Sequence, residues 1–262
     1  MSVLLYDHPL SPFAQKVKIA LMEKGVPFEA RLPDGLGAGG AEGDFALTNP
    51  RREVPALVHG DVRLFDSTII LEYIEDRWPQ PALLPASPAD RARVRQIEDV
   101  LDTHFEAIVW GLGELRWFKR AEGELATSLE SRAADQIRGF HNWLERQLGT
   151  AEWFNGKDFG WGDIAAAPYL NGAAAQGFAP KGHPALQDWL SRVNRRPSVA
   201  RANREAKDVL GAMEQVAGAV RSGTFRREYR DHRLEWMVKS GGIDVVLSGL
   251  AEDNIRFSPD FD

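Results

Sequence analysis

The sequence predicts an α/β domain followed by an all-helical domain, and three observations carry that reading. Residues 1–78 alternate strand-like and helix-like segments; residues 89–222 show almost only helical periodicity; and Pro79, Pro81, Pro85 and Pro88 fall between them, where no helix can run uninterrupted. The chain has 262 residues, of which 44% are apolar and 10% aromatic, enough for two packed cores at roughly 100–200 residues per domain. Residues 223–262 extend beyond the helical region as a C-terminal extension.

Taken in order, Val3-Leu4-Leu5-Tyr6 is a short apolar strand, and Asp7-His8-Pro9-Leu10-Ser11-Pro12 is rich in turn formers. Phe13, Val17, Ala20 and Leu21 then recur at helical spacing until Gly25-Val26-Pro27 stops the helix. Phe28 to Leu32 forms a second strand, and Gly35 to Gly43 is a Gly/Ala-rich loop. Ala56-Leu57-Val58 and Val62-Arg63-Leu64-Phe65 are two strands around the turn His59-Gly60-Asp61. Asp66-Ser67 opens a helix carrying Ile70, Tyr73, Ile74 and Trp78 on one face. The prolines of 79–88 make a linker. Helices are expected over about 89 to 119, 125 to 149, 163 to 177, 184 to 196 and 199 to 220.

Composition excludes several functions. A net charge of -6 argues against the basic stripe that nucleic-acid phosphates require. No apolar run approaches the roughly 20 residues that span a bilayer, and the start of the chain has no leader-like pattern, so a cytoplasmic protein with no membrane partner is expected. With no cysteine in the chain, any sulfur chemistry must use a sulfur supplied by a ligand. The six histidines show no metal-ligand spacing, and no metal is expected.

The order of these elements, with Val54-Pro55 before a β-hairpin, an acidic-Ser pair opening the next helix and a proline-rich linker into helical sequence, resembles the cytosolic glutathione transferase superfamily. The resemblance covers about residues 1 to 200. Ser11-Pro12-Phe13-Ala14-Gln15-Lys16-Val17 is similar to the signature of its serine-type classes, and Asn49-Pro50 through Val54-Pro55-Ala56-Leu57 to the segment whose proline is cis. It implies a thioredoxin-like α/β N-terminal domain, an all-α C-terminal domain, glutathione as co-substrate and a homodimer. Phe159-Gly160-Trp161-Gly162-Asp163 stands where the family carries a Ser/Thr-x-x-Asp capping box, so Asp163 alone is left to reach back to the helix start.

Glutathione chemistry needs a thiolate, whereas a free thiol has a pKa near 8.5. A shift of two units needs only about 2.7 kcal/mol, within reach of one hydroxyl donor plus a helix N-terminus. Ser11, just before Pro12 at the first helical turn, is the expected donor, and no histidine stands where it would turn Ser11 into a nucleophile. Read from the residues alone, Ser11 is equally a plain N-cap. Tyr6, at the end of the first strand, is the second candidate, where other classes of the family place a catalytic tyrosine; a core aromatic is its alternative. Ser67 and the free amides of its helix suit the γ-glutamyl carboxylate, and Asp66 suits the ammonium, although the family usually carries Glu or Gln there. Val54, before a cis Pro55, is expected to pair with the ligand backbone in β fashion. Arg51 and Arg52 are candidates for the glycine carboxylate, since the lysine that often precedes this segment by about ten residues is replaced by the Gly/Ala loop. A hydrophobic electrophile is expected between His8 and Leu10 on one side and His104, Phe105, Trp110, Trp117 and Phe118 on the other, an aromatic stripe that serves core or interface equally well.

Two functions are therefore open: a glutathione-dependent enzyme that conjugates an electrophile or cleaves a carbon–oxygen or carbon–halogen bond, and a non-catalytic binding or scaffold protein on the same fold. The extension, with the charge-balanced run Arg226 to Arg233 and then Trp236-Met237, Gly241-Gly242 and Ile243 to Leu247, either packs on the helical domain or covers the cleft.

Overall fold

The computed structural model describes residues 2–37 and 43–257, with the backbone alone for 212–215. Most of the Gly/Ala loop thus lies outside the described residues. Strands β1 (Val3–Tyr6), β2 (Phe28–Arg31), β3 (Ala56–His59) and β4 (Val62–Phe65) form one mixed sheet in the order β2-β1-β3-β4. β1 runs parallel to β2 and antiparallel to β3, with Leu5 opposite Leu57, both fully buried. The parallel β1–β2 pair needs a crossover, and α1 (Pro12–Glu23) supplies it. α1 and α3 (Ser67–Arg77) pack against each other, with Val17, Leu21, Ile70 and Ile74 in the shared core. A short helix α2 (Asp44–Thr48) follows the loop; five residues are too few to show a period in sequence.

The helical domain opens at α4 (Pro88–Val100), where Ser87 caps and Pro88 takes the first helical position. The long helix expected over 89 to 119 is interrupted: a π-helical turn at Leu101–Phe105 separates α4 from α5 (Glu106–Arg116). Such turns insert one extra residue into the helix and re-aim its side chains. α6 (Gly123–Leu148), α7 (Trp161–Ala175), α8 (Pro184–Val193), α9 (Pro197–Val209) and α10 (Met213–Arg221) complete the domain. α7 is buried on nearly every side, its alanines allowing α1, α4, α5 and α8 to approach closely. Asp163 accepts the Gly160 amide at 3.1 Å, so the helix start is held without a capping hydroxyl. The same carboxylate takes the Phe154 amide at 2.9 Å and Trp189 Nε1 at 2.7 Å.

The extension is described through Phe257. It contains β5 (Arg227–Glu228) paired in parallel with β6 (Ile255–Arg256), and the helices α11 (Asp231–Lys239) and α12 (Ile243–Ala251). α11 lies on α5, and the Trp236 ring packs against Gly111, where any Cβ would stand 2.1 Å from the indole ring. Packing and cleft formation are both performed by this segment, since residues from Phe225 to Glu235 also line the cleft described next. Among the described residues no helix is long and apolar enough to cross a membrane.

Candidate active site

A cleft of about 1710 Å³ separates the two domains, with the N-terminus of α1, the segment Asn49 to Pro55 ahead of β3, the start of α3, the π turn with α5, and the extension among its walls. Ser11 stands at its floor. It is extended, at φ -78 and ψ 113, and its Oγ accepts the Ala14 amide at 3.3 Å, so the N-cap bond exists. That bond uses a lone pair and leaves the hydroxyl proton to donate; the acceptor it faces here is the Val54 carbonyl at 3.5 Å, a distance at which a hydrogen bond is weak. Capping and donation to a ligand are therefore compatible at one oxygen.

The loop before α1 is braced. Ser11 donates its amide to the His8 carbonyl at 2.8 Å, and Gln15 Nε2 donates to the Pro9 carbonyl at 2.7 Å. His8 Nδ1 accepts the Leu10 amide at 3.2 Å, which leaves the ring proton on Nε2. Burial holds this imidazole below its ordinary value, offset in part by Asp7. His8 and Leu10 both line the cleft, beside Ser11. Tyr6 does not line it. The ring lies 5.1 Å from that of Phe45 and is buried with Ala56 in a small core on the other side of the strand.

Val54 precedes a cis Pro55, and both reach the cleft. Asn49 Nδ2 donates to the Glu53 carbonyl at 2.6 Å and Asn49 Oδ1 accepts the Arg51 amide at 2.9 Å, which closes the loop in front of the proline. Asp66 adopts φ 75 and ψ 125, a strained conformation for a residue with a Cβ, and its carboxylate accepts the Thr68 amide at 3.0 Å. Ser67, 4% exposed, follows at the first position of α3. Arg51 lies 3.9 Å from Asp66 and over the Phe65 ring, and Arg52 lines the cleft with φ 56.

On the opposite wall the π turn presents Asp102, Thr103 and His104. His104 is exposed, its Nδ1 2.7 Å from the Thr103 hydroxyl. Trp110 and Trp117 line the cleft; Phe105 instead is fully buried, edge-on to Phe140, and belongs to the core rather than to the substrate surface. The Trp110 ring stacks edge-on to Tyr229 at 4.7 Å with the Arg233 guanidinium 5.3 Å away, and its Nε1 has no hydrogen-bond partner among the described residues.

Sequence reading did not find the charge network beneath this surface. Lys16, fully buried on α1, pairs with Glu98 at 2.7 Å and Asp102 at 2.6 Å; Tyr169 donates to Asp102 at 2.7 Å, and Thr68 to Glu98 at 2.9 Å. One cation thus ties α1, α3, α4 and α7 together between the domains. Burial, only partly offset by Lys16, pushes the Asp102 carboxyl up to about 6. The one signal in the sequence was a lysine on the buried face of an amphipathic helix.

With this geometry in hand, the family comparisons agree with one another. The glutathione S-transferase N-terminal domain model matches residues 5–82, and the C-terminal domain model matches residues 116–197. Glutathione S-transferase U28 of Arabidopsis thaliana is 30% identical over 219 residues, covering 79% of this chain and 91% of the relative. Glutathione S-transferase GstB of Escherichia coli K12 is 28% identical over 203 residues, covering 75% and 95%. Among solved structures, rice GST1 in complex with glutathione superimposes with a TM-score of 0.68 at 27% identity, over 83% of this chain and 96% of that one. Similarity of this extent, with both domain models in order on an α/β thioredoxin-like domain followed by a helical one, makes the protein a member of the glutathione transferase family of enzymes.

Proposed function

We propose that the chain binds glutathione along the Val54-Pro55 edge and uses its thiolate against a hydrophobic electrophile. The observation that carries this reading is the Ser11 hydroxyl: its oxygen, on the cleft wall, is held by the Ala14 amide at the positive end of α1, and the acceptor it faces, the Val54 carbonyl at 3.5 Å, is weak enough to give up to a ligand. In this reading the γ-glutamyl carboxylate meets Ser67 and the first amides of α3, Asp66 takes the ammonium, and Val54 pairs with the cysteinyl backbone. The thiol loses its proton to solvent on binding, and the anion accepts the Ser11 hydrogen bond. It then either adds to the electrophile or displaces an oxygen or halide leaving group at carbon. Phe13, Val109, Trp110 and Trp117 offer an apolar and aromatic surface for that partner between the α1 and α5 walls.

Isothermal titration with glutathione, followed by a conjugation assay with a chlorodinitrobenzene, tests the proposal. Saturable binding and turnover are expected. Binding without turnover would favour the scaffold reading, and no heat at millimolar glutathione would end the glutathione reading altogether.

A homodimer forms part of the same proposal. Leu47 on α2 and Ile69 on α3 are 74% and 54% exposed, apolar side chains that a second copy would cover. An interface of this kind buries at least about 1,200 Å². Sedimentation at micromolar concentration is expected to give twice the chain mass, and a monomer would refute the dimer.

A further inference from the structure

The extension lies outside both matched family segments, yet it reaches back to the proposed glutathione half-site at two points. The Arg226 amide donates to the Gly37 carbonyl at 2.8 Å, and the Phe225 ring occupies the space beside Gly37, where an added Cβ would stand 2.2 Å away. The second contact is charged. Arg230 grips Glu53 with one edge of its guanidinium, Nε to Oε1 at 2.8 Å and Nη2 to Oε2 at 2.9 Å. This fork-on-fork pairing is the strongest geometry available to an arginine and a carboxylate.

The position of Glu53 gives the pair its meaning. Glu53 immediately precedes Val54-Pro55, and both Glu53 and Arg230 line the cleft. Bound glutathione carries two carboxylates, one ammonium and a thiolate, a net negative ligand. A bare carboxylate next to the backbone it pairs with would repel it, more strongly inside a half-buried cleft than in bulk water. Glu53 and Arg230 side chains are 21% and 25% exposed, so solvent screens the pair only in part. Arg230 is also held in place from behind. Arg233 and His232, on the first turn of α11 that Arg230 leads into, bond Glu106 at 2.7 and 2.8 Å, and Trp236 Nε1 bonds Gln136 at 2.7 Å. Arg230 further contacts Asp231 at 2.5 Å and Glu228 at 3.9 Å, and Glu228 has its own cation in Arg256 at 2.5 Å.

We propose that the extension is a working part of the glutathione half-site, in which Arg230 is a positioning residue that neutralises Glu53 at the edge where the anionic tripeptide lies. The inference rests on the glutathione reading above. It differs from a purely structural ion pair in what the two partners' substitutions do. A structural pair is broken equally by losing either side, whereas charge compensation is needed only while Glu53 is an anion.

The experiment measures glutathione Kd by titration and the glutathione KM and kcat with a chlorodinitrobenzene, for wild type, Arg230→Ala, Glu53→Gln and the double variant, at low and high salt. Arg230→Ala is expected to raise Kd and KM by about ten-fold or more, with a much smaller change in kcat, because it leaves a half-buried carboxylate uncompensated. Glu53→Gln alone binds glutathione at least as tightly as the wild type, since it leaves Arg230 unopposed beside an anionic ligand; the double variant recovers most of the loss, and the loss in Arg230→Ala shrinks at high salt. Thermal melting of each variant reports whether the extension stays folded. Equal losses in both single variants, or a loss in Arg230→Ala that Glu53→Gln does not relieve, would overturn the proposal, as would unchanged binding in Arg230→Ala. Failure of the wild type itself to bind glutathione would overturn the glutathione reading and this inference with it.

Discussion

The Ser11 hydroxyl faces the Val54 carbonyl across 3.5 Å, joining the first turn of α1 to the segment before the cis proline. A hydroxyl placed there has a weak partner to give up and a helix N-terminus behind it. Ser11→Ala is expected to lower turnover by about ten-fold or more while hardly changing glutathione affinity, since donors to a preorganised anion are worth about 2.7 to 4 kcal/mol at best. Ultraviolet titration of the thiolate in the binary complex checks this. Its pKa should rise in Ser11→Ala and stay in place in Tyr6→Phe, because Tyr6 is packed on Phe45 outside the cleft. A wild-type pKa equal to that of free glutathione would refute thiolate stabilisation.

Ser67 is buried at the first position of α3, where the helix still has free amides. Ser67→Ala should weaken glutathione binding by about 1 to 3 kcal/mol in isothermal titration, the usual penalty for leaving a charged partner without its donor. Unchanged affinity would place the γ-glutamyl carboxylate elsewhere.

Gly111 lies under Trp236, and a methyl group there would stand 2.1 Å from the indole ring. The ring has little room to yield, being 5% exposed and bonded to Gln136. Gly111→Ala should destabilise the protein by about 1–3 kcal/mol, typical of overpacking, and make residues after Gly223 more sensitive to protease. A melt and proteolysis pattern like the wild type would show that the extension does not depend on this seat.

Burial lowers the His141 imidazole to about 4, helped by the nearby His183 ring at 5.6 Å. Its folded value lies below its unfolded value near 6.5, so the neutral ring contributes stability above pH 6.5, and that contribution is lost as the pH falls toward 4. The loss is on the order of 3 kcal/mol. Urea midpoints measured from pH 7 to pH 4 should fall less steeply in His141→Phe than in the wild type; parallel curves would sink the assignment.

Much of the candidate site was legible before folding because it rests on local rules. Ser-Pro at a helix start, Asp-Ser opening the next helix and Val-Pro ahead of a hairpin each constrain a few adjacent residues, and the structure gathers Ser11, Val54, Asp66 and Ser67 around one cleft. Helix periodicity located the second domain but not the π turn at Leu101–Phe105, within which Asp102 meets Lys16 on α1 and Tyr169 on α7. For the same reason the aromatic stripe was ambiguous: Phe105 and Trp110 look alike in sequence, and only packing sends one into the core and the other to the cleft.

The sequence by itself determined the order β1, α1, β2, β3, β4 and α3, the division into an α/β and a helical domain, the absence of a protein thiol and the family-like motifs. These follow from periodicity, turn chemistry and composition, which act over a few residues at a time. Only the tertiary structure decided which charges meet. Lys16 finds Asp102 across 86 residues and Arg230 finds Glu53 across 177, and no local rule says which partner either cation meets, because an ion pair between distant segments depends on how whole helices pack.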